Sequence, residues 1–177
     1  MTREEFETQA RQLLGQVVQR VRYCEIGYES EAPAWCGDPR FDSLDYGLEL
    51  LTVSGERFPF SWGAEFYTYG VSLAEGLPEA SESTRVRDVS ETSRWRDLLG
   101  KRIEDVRVFW SCVEGTDIGR VHYPQDVKLV FENGREVYIS AFEVWTESRG
   151  MGTMDHITVF FDETIAHQFG VGLETPG

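Results

Sequence analysis

Two short stretches near the C-terminus combine histidine with acidic residues, the residue types that bind metal ions. They contain Asp155 and His156, and then Asp162, Glu163 and His167. The last three fall within about a turn and a half of one predicted helix. Metal sites need three or four ligands with hydrogen-bonded support, whereas the helix dipole alone favours acids in a first turn and histidine in a last turn. We therefore predict no metal and no cofactor.

The cysteines and serines lack the sequence surroundings that nucleophilic catalysis requires. No Gly-x-Ser-x-Gly elbow and no phosphate-binding glycine loop is present. Cys112 lies in an apolar segment typical of a buried thiol. Cys36 lies in a predicted loop, where nearby acidic residues disfavour the reactive thiolate. Three cysteines without a Cys-x-x-Cys pair predict reduced thiols, and the sequence favours a protein that is not an enzyme.

Charge excludes several classes of partner. The 177 residues hold 31 Asp and Glu against 17 Lys and Arg, a formal charge of −14. Such a surface is repelled by nucleic acid and by anionic membranes and is attracted to basic proteins. The N-terminus is charged, and no apolar run approaches the roughly 20 residues of a membrane span. We expect a cytoplasmic protein without a nucleic-acid or membrane partner.

Two predicted loops, 29–45 and 114–126, mix acidic residues with aromatic ones. Aromatic side chains anchor protein interfaces, and acidic charge speeds the encounter with a basic partner. The predicted contact residues are Trp35, Asp38, Asp42, Glu114, Asp117, His122 and Tyr123. The alternative is that both are ordinary solvated loops whose aromatic residues fold back onto the core.

The N-terminal segment 2–22 shows the apolar spacing of an amphipathic helix. Its apolar stripe consists of Phe6, Ala10, Leu13, Leu14, Val17, Val18 and Val21. Thr2 followed by Glu5 matches a capping box, and Gly15 is expected to weaken the helix interior by about 1 kcal/mol. We expect this helix to pack on one face of a sheet.

Alternating apolar residues after position 47 predict two β-hairpins. The first spans 48–62 and turns at Ser54–Gly55. The second spans 127–141 and turns at Asn133–Gly134, a pair typical of type I′ turns. Pro59 predicts that its strand is an edge or carries a bulge. Further strands are predicted at 67–73, 103–113 and 157–161.

The remaining segments predict two short helices and two loose stretches. One helix runs through Trp95 to a stop at Gly100, and the other runs from an Asp162 cap to Gly170. Residues 77–93 are typical of a flexible connection and 171–177 of a loose tail. The sequence thus predicts one domain over 1–177, of the α+β class, with a largely antiparallel sheet, the N-terminal helix on one face and two short helices.

Three hypotheses for function remain open at this point. The first is a small acidic protein-binding module, an inhibitor or immunity-type neutraliser of a basic protein. The second is a small-molecule-binding protein or enzyme with an aromatic-lined pocket between sheet and helix, through Trp62, Tyr67, Tyr69 or Trp110, although aromatics at strand spacing more often belong to the core. The third is a structural homo-oligomer, since the sequence does not fix the oligomeric state.

Overall fold

Two antiparallel β-sheets account for most of the chain. The computed structural model describes residues 1–27, 33, 38–74, 76–115, 119–146 and 149–174. The elements of these residues are, in chain order, α1 (Arg3–Arg11), β1 (Val18–Ile26), β2 (Phe41–Leu44), β3 (Gly47–Thr52), β4 (Arg57–Gly63), β5 (Gly70–Ser72), β6 (Thr84–Asp88), β7 (Ile103–Gly115), β8 (Gly119–Phe131), β9 (Glu136–Thr146), β10 (Arg149–Phe160) and α2 (Glu163–Gln168). The predicted α+β class with largely antiparallel strands is confirmed.

The strands divide into two five-stranded sheets. The order is β5-β4-β3-β1-β6 in the first sheet and β2-β10-β9-β8-β7 in the second. One buried cluster takes side chains from both, including Leu50 and Phe60 of the first sheet and Leu129 and Ile139 of the second. The core therefore lies between two sheets, where the sequence predicts one, because alternation identifies strands without showing which of them share a sheet.

Helix α1 is much shorter than the predicted helix over 2–22. It ends at Arg11, the chain turns through Gly15 at a φ of +80°, and β1 begins at Val18. The prediction is wrong beyond Arg11 because the β-branched residues Val18 and Val21 suit a strand. Gly15 does not weaken a helix interior, since its positive φ lies after the helix has ended.

The capping box at the start of α1 is formed. Thr2 Oγ1 accepts the N–H of Glu5 at 3.2 Å, and Glu5 Oε2 accepts the N–H of Thr2 at 2.6 Å. We expect Thr2→Ala to lower the free energy of unfolding by about 1 kcal/mol. The control is Thr8→Ala on the exposed face of α1, which should cost no more than about 0.5 kcal/mol. Urea denaturation measures both, and equal losses would argue against a stabilising cap.

Strand β6 lies inside the segment 77–93 that the sequence indicates is a connection without structure. Residues Thr84–Asp88 pair antiparallel with residues 22–26 of β1. The prediction failed because β6 is an edge strand, and edge strands carry charged residues that discourage pairing with other chains. Its composition therefore resembles that of a loop.

The predicted short helix at 95–99 is a series of turns. The N–H groups of Leu98 and Leu99 both donate to the carbonyl of Trp95. No α-helix forms between Trp95 and Gly100, and Gly100 has a φ of +71°. Trp95 and Leu98 are nevertheless fully buried. The helical spacing thus predicts the core residues correctly, although the backbone forms turns instead of a helix.

Only three residues of the predicted strand 67–73 form a strand. Strand β5 begins at Gly70, and Tyr67 lies in the loop that connects β4 to β5. Strand β4 is not an edge strand, because β5 pairs with its residues 61–63. Pro59 lies beyond that pairing, so its missing N–H leaves no gap in the β4–β5 ladder.

The C-terminal segment is held by helix α2 and by a buried carboxylate. Asp162 caps α2 by accepting the N–H of Ile165 at 3.0 Å. After the helix, Val171 is buried and the N–H of Gly172 donates to Asp126 Oδ2 at 2.7 Å. The predicted loose tail therefore starts with two packed residues, and 175–177 lie outside the described residues.

Candidate interaction surface

An open groove lies where the loop between β4 and β5 meets the start of β8. Its volume is about 450 Å³. The lining residues are Met1, Glu65, Phe66, Tyr67, Arg120, Val121 and His122. We call it the Tyr67 groove. It joins Tyr67, predicted for a ligand pocket, to His122, predicted for contact with a protein partner.

The core holds the floor of the groove in place through Phe66. The Phe66 ring lies edge-on to Phe6 of α1, with 6.1 Å between centroids, and edge-on to Trp110 of β7, with 5.2 Å between centroids. Edge-to-face aromatic pairs of this kind add stabilisation beyond the buried area. The loop that carries Tyr67 is therefore anchored next to its tip.

Tyr67 combines an exposed aromatic ring with an unfavourable backbone conformation. Tyr67 is 81% exposed, and its φ is +64°. A non-glycine residue at positive φ costs of order 1–3 kcal/mol and such residues cluster at functional sites. The turn is closed by the N–H of Tyr67, which donates to the carbonyl of Ala64 at 3.0 Å. Packing of the Tyr67 ring does not offset this strain, because most of the ring faces water.

Charged residues of both signs lie at the groove. Glu65 lines it and accepts a hydrogen bond from the Ser72 hydroxyl. The basic lining residue Arg120 lies opposite Glu114 across the β7–β8 ladder, so its charge is offset nearby. The exposed residue Glu4 follows Met1 closely along the chain. The lining thus carries charges of both signs, and a preference for a basic partner rests on the net charge of −14.

Two of the predicted contact residues are buried and offer no surface to a partner. Asp42 and Tyr123 are each 3% exposed. The Tyr123 hydroxyl donates to Gln125 Oε1 at 2.7 Å. Both residues belong to strands, β2 and β8, where the sequence predicts loops, and this explains the error. Trp35 and Asp117 lie outside the described residues.

The remaining predicted contact residues are not brought together. Asp38 is bound by its neighbour Arg40, whose Nη2 lies 2.7 Å from Asp38 Oδ2, and the hydrogen bond from this guanidinium lowers the pKa of Asp38. Strand β2, which follows Asp38, and strand β7, which carries Glu114, form opposite edges of the second sheet. Four strand spacings separate them, roughly 19 Å. Of the predicted contact residues that the structure describes, His122 lines the Tyr67 groove, and Glu114 lies opposite the lining residue Arg120.

The tryptophans predicted for a ligand pocket pack inside the protein. Trp110 donates its Nε1–H to Glu7 Oε1 at 3.2 Å, and Trp62 donates its Nε1–H to the carbonyl of Asp45 at 2.7 Å. Both are partly buried against the main core. The ring of Tyr69 leans edge-on against Trp62 at 5.2 Å. Trp110 also packs against Phe66 and so supports the loop between β4 and β5.

Sequence reasoning missed most of the groove lining, namely Met1, Glu65, Phe66, Arg120 and Val121. One sequence signal could have found the loop. The stretch 64–69 stands between Gly63 and Gly70, and glycines next to strands mark bends and close approaches of the backbone. At Gly70 a side chain would meet the carbonyl oxygen of Pro124 at 2.9 Å, so this glycine lets β5 approach β8.

A buried polar cluster connects the two sheets away from the groove. Asp42 of β2 accepts a hydrogen bond from the hydroxyl of Tyr23 of β1 at 2.7 Å and pairs with Arg94. Trp95 Nε1 donates to the same hydroxyl at 2.6 Å. Burial raises the pKa of Asp42 to about 6 and outweighs the opposite effects of Tyr23 and Arg94. Burial, and then the charge of Asp42, raise the pKa of Tyr23.

Asp126 is a second buried carboxylate. It accepts hydrogen bonds from the Ser140 hydroxyl at 2.5 Å and from the N–H of Gly172 at 2.7 Å. Neither donor carries a charge. Burial therefore raises the pKa of Asp126 to about 6, against the lowering effects of Ser140, Gly172 and Gln125. This carboxylate fastens the C-terminal segment to β8.

The histidine and cysteine positions do not form a reactive site in the part of the chain that the structure describes. His156 Nε2 lies 3.6 Å from Asp45 Oδ1, and His167 Nε2 lies 3.9 Å from Glu163 Oε1. Among the described residues, no group of three His, Cys, Asp or Glu could hold a metal ion. Burial raises the pKa of the Cys24 thiol to about 11, which disfavours a nucleophilic thiolate. Cys36 lies outside the described ranges.

The described helices and the comparisons with known proteins identify neither a membrane span nor a family. Neither helix in the described ranges has the length and apolar character needed to cross a membrane. No protein-family model, curated protein or solved structure matches this chain.

Proposed function

We propose that this protein is an acidic binding module that recognises a basic protein through the Tyr67 groove and thereby inhibits or neutralises it. The observation that carries the proposal is Tyr67, an aromatic residue that is 81% exposed on a backbone at a φ of +64°. Tyrosine supplies a large contact area at a low cost in side-chain entropy and is enriched at the centres of interfaces. Contacts between Tyr67 and a partner that covers it would offset part of the free energy of its strained backbone conformation.

The sign of the charge supports a basic partner. The net charge of −14 attracts positively charged proteins over long range and raises their association rate. In the groove, an arginine or lysine side chain of the partner could lie over the Tyr67 ring, because the face of an aromatic ring attracts cations. Glu65 and Glu114 would stand nearby as acidic neighbours.

The proposal also covers location. Cys24 and Cys112 are free cysteines, which suits a reducing compartment. This supports action in the cytoplasm, where a basic protein would be bound.

A small-molecule ligand is the second candidate function. The volume of about 450 Å³ falls in the range of ligand pockets, and Phe66 and Val121 give the lining an apolar part. We place it second because the groove is open and its Tyr67 side chain is largely exposed to water. Retention of a small molecule by the purified protein, lost on substitution of Tyr67, would reverse this order.

The experiment is affinity capture from a lysate of the cells that make the protein, followed by elution along a salt gradient and mass identification. Tyr67→Ser is compared with Val53→Ser, since Val53 is 64% exposed at the β3–β4 turn. We expect one basic protein to elute with rising salt, because charge interactions beyond about 8 Å are screened at physiological ionic strength. Its affinity, measured with the purified partner, should fall at least about tenfold in Tyr67→Ser.

The control variant should bind the purified partner as tightly as the unmodified protein. Equal affinity of the Tyr67→Ser and Val53→Ser variants would exclude the Tyr67 groove as the binding surface. A partner whose affinity is the same in low and high salt would show that the acidic charge plays no part in recognition.

A further inference from the structure

The outward side of the first sheet carries a compact group of two arginines and one glutamate. Arg22 of β1 lies opposite Glu49 of β3, and Arg57 of β4 is a diagonal neighbour of Glu49. Arg22 Nε donates to Glu49 Oε1 at 3.0 Å, and Arg57 Nε donates to Glu49 Oε2 at 2.8 Å. The side chain of Glu49 is only 5% exposed, so the two guanidinium groups cover the carboxylate.

This group has an excess of positive charge. One carboxylate receives two guanidinium groups, and the next acidic residue, Asp88, contacts Arg20 at 3.3 Å and lies opposite Arg22 in the β1–β6 ladder. Each guanidinium has five N–H donors. Among the described residues, Arg22 and Arg57 direct only their Nε and Nη2 atoms at protein acceptors. Their Nη1 groups therefore remain available to a further anion.

The available donors face a groove with an apolar wall. A cavity of about 410 Å³ lies over Arg22, Glu49 and Arg57 and is bounded by Val86 and by residues 77–80. That wall is tied to the sheet where the Cys24 thiol contacts the carbonyl of Pro78 at 3.6 Å. Glu79 adds an exposed carboxylate on the wall, where water screens its charge. The cavity is large enough for a small organic anion.

We propose that Arg22 and Arg57 form a binding site for a small oxyanion, a carboxylate or phosphate group carried by a molecule with a short apolar part. Guanidinium groups present their donors in a planar fork that matches carboxylate and phosphate oxygens. Glu49 sets the positions of both forks. The site lies on the first sheet and does not rest on the proposed function of the Tyr67 groove.

The test is a titration of the purified protein with inorganic phosphate and, separately, with acetate, each at an ionic strength held constant with chloride. Chemical shifts of the arginine side chains report binding. We expect saturable binding of at least one probe, weakened at least about tenfold in Arg57→Gln. The matched control is Arg107→Gln, because Arg107 is 66% exposed and its Nε likewise contacts a carboxylate, that of Asp105, at 2.8 Å.

The Glu49→Gln variant distinguishes an anion-binding site from an ion pair that only links the strands. This substitution removes the negative charge that the two arginines share, so the affinity for the bound probe should rise several-fold and the probe should raise the melting temperature more than in the unmodified protein. Loss of stability without any gain in probe affinity would overturn the proposal. So would equal responses of the Arg57→Gln and Arg107→Gln variants, or no saturable binding of either probe.

Discussion

Replacing Arg94 with methionine is expected to lower the free energy of unfolding at alkaline pH by about 3–5 kcal/mol, because it leaves the ionised, buried carboxylate of Asp42 without its cation. The side chain of Asp42 is 4% exposed and that of Arg94 is 20% exposed. Methionine keeps the packing of the long side chain against its surroundings and removes only the charge and the hydrogen bonds.

The loss should shrink when Asp42 is neutralised. The double variant Arg94→Met with Asp42→Asn removes the unpaired charge and is expected to regain a large part of the lost stability. A lower pH should act in the same direction, since protonation of Asp42 also removes the charge. Urea denaturation of the four proteins of this double-mutant cycle at two pH values measures the coupling. If the double variant is no more stable than Arg94→Met alone, the unpaired charge is not the cause.

Replacing Asp126 with asparagine is expected to have the opposite sign and to stabilise the protein above pH 7. Burial raises the pKa of Asp126 from 3.8 to about 6 in the folded protein. The folded state therefore binds more protons than the unfolded state between these pH values, and stability falls as pH rises through this window. This difference between the unfolded and folded pKa values of Asp126 corresponds to about 3 kcal/mol of stability that is lost as pH rises. Asparagine does not ionise, so the variant keeps this stability.

The hydrogen bonds allow this substitution. The asparagine carbonyl can accept the N–H of Gly172, and its amide can donate to the Ser140 hydroxyl, which lies within reach of the carbonyl of Gln125 at 3.4 Å. We expect Asp126→Asn to gain up to about 3 kcal/mol near pH 8 and little near pH 4. Chemical denaturation across this range measures it. A loss of stability at both pH values would show that the carboxylate is required as an ionised acceptor.

The strands could be predicted from the sequence where the turn residues and the apolar alternation indicate the same hairpin. Strands β8 and β9 pair on either side of Asn133 and Gly134, as predicted. Gly134 has a φ of +75°, whereas Asn133 is not at positive φ, so the turn is not the predicted type I′ turn. Where two patterns overlap, the prediction failed. Valines at 17, 18 and 21 fit helical spacing, yet they belong to the path into and along β1, because tertiary pairing with β3 and β6 overrides the local pattern.

The candidate site was less accessible to sequence reasoning than the fold. Asp42 and Tyr123 have the composition of contact residues, and only the pairing of β2 with β10 and the packing of β8 reveal that they are buried. Tyr67 fits an alternating strand in the sequence, and its exposure depends on a backbone angle that no residue type nearby indicates. A groove between two loops distant in sequence requires the tertiary structure.

Two candidate binding surfaces emerge from the structure. We propose the Tyr67 groove for a basic protein because of the net charge of −14, and the group formed by Arg22, Glu49 and Arg57 for a small oxyanion because two guanidinium groups share one carboxylate. Because the two sites lie on different elements, the experiments above test them independently.

The central claim is that Tyr67 contacts a basic protein, and site-specific photo-crosslinking tests it most directly. A photoreactive phenylalanine derivative is placed at position 67, or at the control position of Val53, in the cells that make the protein. We predict that position 67 forms one cross-linked product with a basic protein, that added salt before irradiation reduces its yield, and that position 53 forms none. Cross-linking of the same protein from both positions, or from neither, would contradict the account.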